Sequence, residues 1–255
     1  MTIPNATATS AWIREDGVLR SPLLDRLGLA AGFTTRAFGS MGDALTPPER
    51  QRRNRTAFAR LAGFEAVARV KQVHGTEVAQ LDGPVSPWPE ADALWTDRRG
   101  VLLGIVAADC VPVFLAEEAG PIGIAHAGWR GSSLGVARLL VRAMLAGGAR
   151  PDRLAASLGP SIGPCCYTID AGRAELVRSR LGPGNDDIVD GGRMDLWAAN
   201  ARQLHEEGVQ VIEVSGICTC CGGEDVWSYR GRTPEQDYGT CLAFIGWPSG
   251  EPNPG

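Results

Sequence analysis

Six short apolar, β-branched runs follow one another between residues 68 and 125, with too little chain between them for crossover helices. They read as strands over Ala68 to Val73, Glu77 to Leu81, Ala93 to Thr96, Val101 to Ala107, Val111 to Ala116 and Pro121 to Ala125. A parallel crossover needs a dozen or more connecting residues, usually a helix, so this crowding demands antiparallel or mixed pairing. Helices are expected outside this block. One runs from Pro47 or Pro48 to Leu61, with proline in its first turn and Gly63 at its end. Others are expected over Ser132 to Ala146, closed by Gly147-Gly148, over Asp170 to Arg180, and over Met194 to Glu207, where Leu196, Trp197, Asn200 and Leu204 share a face. Ala31 to Arg36, Leu154 to Leu158, Val209 to Val214 and Thr240 to Ile245 complete the strands, and residues 1–28 are expected at an edge. The pattern predicts an α/β fold: a single layered domain over residues 1–247, mixed β-sheets flanked by helices, and a disordered tail over 248–255.

The composition is that of a soluble globular chain, with 44% hydrophobic and 21% charged residues. A net charge of −4 gives no global basic field for nucleic acid or an anionic membrane. The local basic run Arg50-Gln-Arg52-Arg53-Asn54-Arg55 reads either as a solvated helix face or as a place where Asn54 or Arg55 meets an anionic substrate. The N-terminal stretch lacks the charged and apolar regions of a secretory signal, and no apolar run approaches bilayer length. Seven cysteines, an odd number, favour reduced thiols and a cytoplasmic setting.

Of only three histidines, two sit beside glycines at the ends of apolar runs: Val70-Lys-Gln-Val-His74-Gly and Ala125-His126-Ala-Gly-Trp-Arg130-Gly. Between them Ala108-Asp109-Cys110 also ends an apolar run. Two imidazoles and a thiolate are a catalytic zinc's usual three protein ligands, with a fourth position left open. The same residues can instead form a Cys110 nucleophile activated by His126 or His74 and oriented by Asp109. Each residue alone reads more simply as a core group, and spacing does not separate the two chemistries. His205, in Gln203-Leu-His-Glu-Glu207, reads as an exposed helix residue.

Two other thiol groups, Cys165-Cys166 and Cys218-Thr-Cys220-Cys221, contain a single Cys-x-x-Cys pair. They read as core and loop thiols rather than as a structural zinc site, because the second pair is adjacent instead of spaced by two. Arg130, ahead of a predicted helix, is a candidate anion contact, and Arg36 and Arg230 occupy similar turn-like contexts. Ser161, in a glycine–proline turn, is a candidate pocket residue.

Several long stretches resemble the laccase-domain family, also described as YfiH-like, polyphenol-oxidase-type or peptidoglycan-editing-factor proteins. They are Val70-Lys-Gln-Val-His74-Gly-Thr-Glu-Val78, Ala91-Asp-Ala-Leu-Trp-Thr-Asp97, Ala108-Asp-Cys110-Val-Pro-Val113, Ala125-His126-Ala-Gly-Trp-Arg-Gly131 and Leu158-Gly-Pro-Ser-Ile-Gly-Pro-Cys-Cys-Tyr167. Asp195-Leu-Trp-Ala-Ala-Asn200, Ser215-Gly-Ile-Cys218-Thr219 and Ser228-Tyr-Arg230 continue the match. The resemblance implies a layered α/β domain with zinc on His74, Cys110 and His126. It implies phosphorolysis of adenosine, inosine and guanosine, cleavage of methylthioadenosine, and deamination of adenosine. The partners it implies are a purine nucleoside and phosphate, handled by a monomer or small homo-oligomer.

Arg36, Asn54, Arg55, Arg130 and Ser161 are then the candidate substrate contacts, with Asp109 as candidate proton carrier beside the three ligands. Asn54-Arg55 matches the family's usual pair. Where the family continues Ser-Tyr-Arg-Arg, this chain has Gly231, which leaves phosphate contact by the C-terminal arginines open. Copper and polyphenol oxidation fit less well, since three histidines cannot furnish a multicopper centre. A Cys110 amidase editing peptidoglycan precursors is the remaining alternative.

Overall fold

A computed structural model describes residues 7–8, 12–42, 45–222, 225–233 and 238–250. The expected pairing of crowded strands is met by two mixed sheets. The larger has seven strands, in the order Thr7–Ala8, Val211–Val214, Leu154–Leu158, Val111–Glu117, Ile122–Ala127, Ala93–Thr96 and Val78–Gln80. The smaller has six, in the order Ile13–Glu15, Val18–Arg20, Ala30–Thr34, Cys241–Gly246, Leu102–Ala107 and Val67–Ala68. Pairing is antiparallel through both centres and out to the Ile13–Glu15 edge of the smaller sheet, and parallel toward the other three edges.

Alternation along the central strands shows how the layers stack. Trp95, Val113, Leu115 and Ala125 join the core beneath the helices, while Leu94, Phe114, Ala116 and Ile124 join the core between the sheets. Leu103 and Ile105 meet them from the smaller sheet, and Leu102, Leu242 and Phe244 face the opposite way onto Phe58 of the helix Pro48–Leu61. Both sheets are therefore covered on both faces, which is why their strands read as continuous apolar runs. No helix among the described residues is long and apolar enough to cross a membrane.

Several boundaries differ from expectation for local reasons. The expected strand over 68–73 is a strand only at Val67–Ala68, followed by an isolated parallel bridge from Lys71 to Glu90. Beyond it, the Gln72 side chain takes over the ladder's role, bonding both N and O of Val106 at 2.8 Å, and frees the chain to leave the sheet before His74. The expected helix over 132–146 is two helices, Trp129–Leu134 and Val136–Ala146. Gly135 separates them in the left-handed region, at φ +88°. Asp170 and Asp195 cap their helices by accepting from Arg173 N and Ala198 N, so these helices begin at Ala171 and Leu196. In the tail, residues 248–250 are described and 251–255 lie outside the described residues.

The helix Val136–Ala146 is anchored by buried Val136, Leu140, Val141 and Met144, each contributing about 1.5–3 kcal/mol by leaving water. That packing keeps the break at residue 135 in place when the side chain changes. Gly135→Ala is therefore expected to lower unfolding free energy by about 1 kcal/mol, the usual cost of a left-handed non-glycine residue. Urea denaturation reads it; a variant as stable as the parent would mean that the two helices fuse.

Candidate metal centre and cleft

Four strand ends meet at one corner of the two sheets. Leu102–Ala107 belongs to the smaller sheet and Val111–Glu117 to the larger, so residues 108–110 carry the chain across. Asp109 makes the crossing with φ +94°, and Cys110 follows it. His126 lies near the end of Ile122–Ala127, its N–H bonded to Asp92 O at 2.7 Å. His74 arrives from the loop after Val67–Ala68, itself at φ +57°. Non-glycine residues held at positive φ are uncommon and concentrate where surrounding structure over-determines them.

These three side chains converge: donor atoms of His74, Cys110 and His126 lie within 4.8 Å of one another. The two imidazole centroids are 4.8 Å apart. His126 is buried, Cys110 half-buried and His74 exposed, so the group opens toward solvent on the His74 side. Gly128 forms the floor. A Cβ there would stand 2.7 Å from Cys110 Sγ, so only glycine leaves room for the sulfur.

Asp92 holds the corner together. Fully buried, it accepts from Val73 N at 3.0 Å and Gly75 N at 2.6 Å through one oxygen, bracketing His74. Its other oxygen lies 2.9 Å from His126 Nδ1. A carboxylate on Nδ1 turns Nε2 of the ring toward the other donors and fixes the tautomer that a metal requires.

The electrostatics follow. Burial works against a Cys110 thiolate, but His126 and then His74 outweigh it and hold the thiol below its ordinary range. Burial also works against a charged His126, but the facing Cys110 thiolate and the Asp92 carboxylate outweigh it and raise the imidazole. Asp92 is pushed up by burial and, more strongly in sum, down by the bonds from His126, Gly75 and Val73. The pair thus favours a proton on His126 over one on Cys110, and a divalent cation would take that proton's place. Two neutral imidazoles and a thiolate suit tetrahedral zinc with one open position, and the residues present fit that ion.

The group lies at the base of a cleft of ≈530 Å³. Trp129, Tyr167, Tyr229 and Tyr238 supply aromatic walls, and Arg173 and Arg230 supply positive charge. A separate depression of ≈620 Å³, bordered by Glu15, Asp25 and Phe58, is larger but contains no nucleophile or metal-binding cluster. The His–Cys–His group lies in the smaller of these two clefts.

The remaining expected site residues fall in different places. Asp109 lines the cleft, but its carboxylate already accepts from Thr219 Oγ1 at 2.6 Å, Ser228 Oγ at 2.7 Å and Arg230 N at 2.7 Å. Ser161 is buried behind it and donates to Asp109 O at 2.8 Å. Arg130 borders a smaller extension of the cleft beside Cys110 and His74, its guanidinium 5.3 Å from the Trp129 ring. Arg36 donates to Val226 O at 3.0 Å and stacks on Trp227. Asn54 donates to Ser40 O at 2.8 Å, and Arg55 donates to Met41 O. Arg36, Asn54 and Arg55 are thus engaged with the backbone and are not among the residues lining the cleft. His205 is exposed on its helix, as expected.

Sequence reasoning assigned no role to Asp92 and none to Arg173. Asp92 stood inside a matched stretch, and its one visible signal was an isolated acid ahead of an apolar strand. Arg173 carries no local signal, since its place depends on how the helix Ala171–Leu181 packs.

A two-sheet fold with a His–Cys–His group that could hold a metal ion, set in an aromatic, cationic cleft, has the form of an enzyme. The chain belongs to the family described as multi-copper polyphenol oxidoreductase laccase, whose model matches residues 31–248. It is 38% identical over 249 residues to a purine nucleoside phosphorylase of Deinococcus radiodurans, covering 92% of this chain and 94% of that one. The crystal structure of YlmD from Geobacillus stearothermophilus superposes with a TM-score of 0.82 at 31% identity, covering 93% of this chain and 99% of that one. That of YfiH from Bacillus licheniformis superposes at 0.81 with 27% identity, covering 91% and 97%.

Asp92→Asn keeps the size of the side chain but weakens its hold on His126. Metal affinity is expected to fall about 10- to 100-fold, as for other partners of metal-bound histidines. Competition against a chromogenic chelator measures it, and undiminished affinity would remove Asp92 from the centre.

Proposed function

We propose that this chain is a zinc-dependent purine nucleoside phosphorylase acting at the His74–Cys110–His126 centre. The observation that carries the proposal is the convergence of these donors, backed by Asp92, in a cleft with aromatic walls and two arginines. The name carried by relatives such as the Deinococcus protein supports it. His74, Cys110 and His126 would hold the metal, which supplies a Lewis acid beside the reacting group.

The chain's own residues do the rest. Tyr229 and Tyr238, edge to face at 5.7 Å between centroids, offer ring surfaces for a purine. Arg230 and Arg173 are the cations that would hold phosphate. Arg230 is oriented by Thr168, donating to its Oγ1 at 3.0 Å and its carbonyl at 3.1 Å. In phosphorolysis a phosphate oxygen forms a bond to the ribose C1′ as the bond from C1′ to the base nitrogen breaks, and the base leaves with the bonding electron pair. Preorganised cations near both ends lower that barrier.

Asp109 acts as a positioning residue that fixes Arg230 and the Cys110 corner. Arg36, Asn54, Arg55 and Ser161 support the loops around the cleft, and Arg130 is left at its rim. Adenosine deamination would use the same centre. Zinc in place of copper follows from the donor set: His205 is the only other histidine and lies on an exposed helix face. Seven free thiols fit a reducing, cytoplasmic setting.

A second reading has one observation in its favour. Asp92, His126 and Cys110 follow one another as carboxylate, imidazole and thiol, the order of a Cys–His–Asp hydrolase triad. His74 has no place in such a triad, yet it reaches Cys110 from a positive-φ backbone.

Incubating the zinc-loaded chain with adenosine, with and without phosphate, separates the outcomes. The proposal expects adenine only when phosphate is present. Cys110→Ser and His74→Ala should each lose activity by about 100-fold or more, and Arg230→Ala should chiefly raise the phosphate KM. Inosine formed alongside adenine would reveal the deamination that the same centre would carry, whereas inosine with no adenine even when phosphate is present would assign deamination alone. Full amidase activity surviving His74→Ala would assign the triad. Phenol oxidation requiring copper, without nucleoside turnover, would reject the proposal.

A further inference from the structure

The thiols that read from sequence as core and loop groups come together in space. Donor atoms of Cys165, Cys166, Cys218 and Cys221 all lie within 4.8 Å of one another, and all four are free. Cys165 Sγ and Cys221 Sγ are 3.6 Å apart. A tetrahedron of sulfurs around zinc, with bonds of about 2.3 Å, has edges of roughly 3.8 Å. We propose that these four cysteines hold a second metal ion, a structural tetrathiolate zinc, separate from the His–Cys–His centre.

The backbone around the sulfurs is shaped for that ion. Cys218-Thr-Cys-Cys221 is a Cys-x-x-Cys turn that folds back on itself. Gly222 N donates to Cys218 O at 2.7 Å, and a Cβ on Gly222 would stand 2.7 Å from the same oxygen, so glycine is required there. Gly163 N donates to Cys218 Sγ at 3.3 Å. Backbone donors aimed at a sulfur favour its thiolate form, the form that binds metal.

Zinc with four thiolates carries a net charge of −2, and two guanidiniums border the group. Arg193 Nη1 donates to Cys165 O at 2.6 Å, and Arg230 Nη1 to Cys166 O at 3.5 Å. Zinc binding releases the four thiol protons to solvent and oxidises nothing.

The placement explains what such an ion would do. Cys165 and Cys166 precede Tyr167, a cleft wall, and Cys218 precedes Thr219, whose hydroxyl bonds Asp109. The loops are otherwise joined by Ser161 N to Ile217 O and Thr219 N to Ser161 O, at 3.1 and 2.9 Å. An ion bound to both loops would staple the back of the cleft behind Asp109 and Cys110.

Elemental analysis of protein purified under reducing conditions tests this without any activity measurement. The double variant His74→Ala/His126→Ala is expected to retain about one equivalent of zinc per chain. Cys218→Ser/Cys221→Ser should lose that equivalent, whereas Cys220→Ser should keep it. Should the cysteine variant fail to fold, cobalt(II) loaded into His74→Ala/His126→Ala provides the readout: strong thiolate-to-cobalt charge transfer with tetrahedral ligand-field bands. A histidine variant with neither tightly held zinc nor that spectrum overturns the proposal. So does intact-mass evidence of a Cys165–Cys221 disulfide in its place.

Discussion

One buried carboxylate sets the geometry on which the centre depends. Asp92 precedes the strand Ala93–Thr96, and its position follows from the register that pairs Ala93 with Ala125. Its two oxygens then act on different pieces of chain. One closes the turn around His74 through Val73 N and Gly75 N, and the other orients His126. An unpaired carboxylate in so dry a place would be costly, so the turn and the ring compensate the acid as much as the acid orders them. Sheet pairing is thereby transmitted to two candidate metal ligands at once.

The third ligand depends on a different constraint. The chain must pass from one sheet to the other between Ala107 and Val111, and three residues leave little freedom in how it does so. Asp109 takes the strained conformation, and three donors to its carboxylate hold it there. Two of those donors, Thr219 and Ser228, and the Arg230 amide come from the last quarter of the chain. The position of Cys110 is therefore set by residues more than a hundred positions away, which an isolated strand–turn–strand segment would not reproduce.

This division explains what could be read from the sequence. The layered α/β class followed from strand crowding, and most strands and helices followed from apolar runs and glycine or proline stops, because those signals are local. His74, Cys110 and His126 stood out because scarce histidines beside glycine mark places where backbone approaches a ligand. The break at Gly135 stayed hidden because a glycine inside an apolar helical pattern does not reveal its φ. Arg36, in a turn, and Asn54 and Arg55, in a basic helical run, were candidate substrate contacts because arginine and asparagine suit anions and carbonyls equally. Only tertiary structure shows that Val226, Ser40 and Met41 carbonyls occupy them. Asp92 and the four-cysteine cluster were missed for a common reason. Each depends on segments far apart in sequence coming together, and the Cys-x-x-Cys pair at Cys218 and Cys221 shows only half of the cluster.

The coupling of proton and metal at Cys110 bears on how one fold can be described both as an oxidase family and through phosphorylase relatives. Without a metal, the facing charges favour the Cys110 thiolate and the protonated His126, with Asp92 beside the ring. With a divalent cation, His126 would be neutral and the same Asp92 bond would orient its Nε2 toward the ion. One hydrogen-bond network therefore serves two charge states without rearrangement. What a bound metal then does is governed by the residues above it rather than by the three ligands. Here those residues are aromatic rings and arginines suited to a flat base and an anion. A multicopper centre needs further imidazoles nearby, and the chain's third histidine, His205, is exposed on a helix instead.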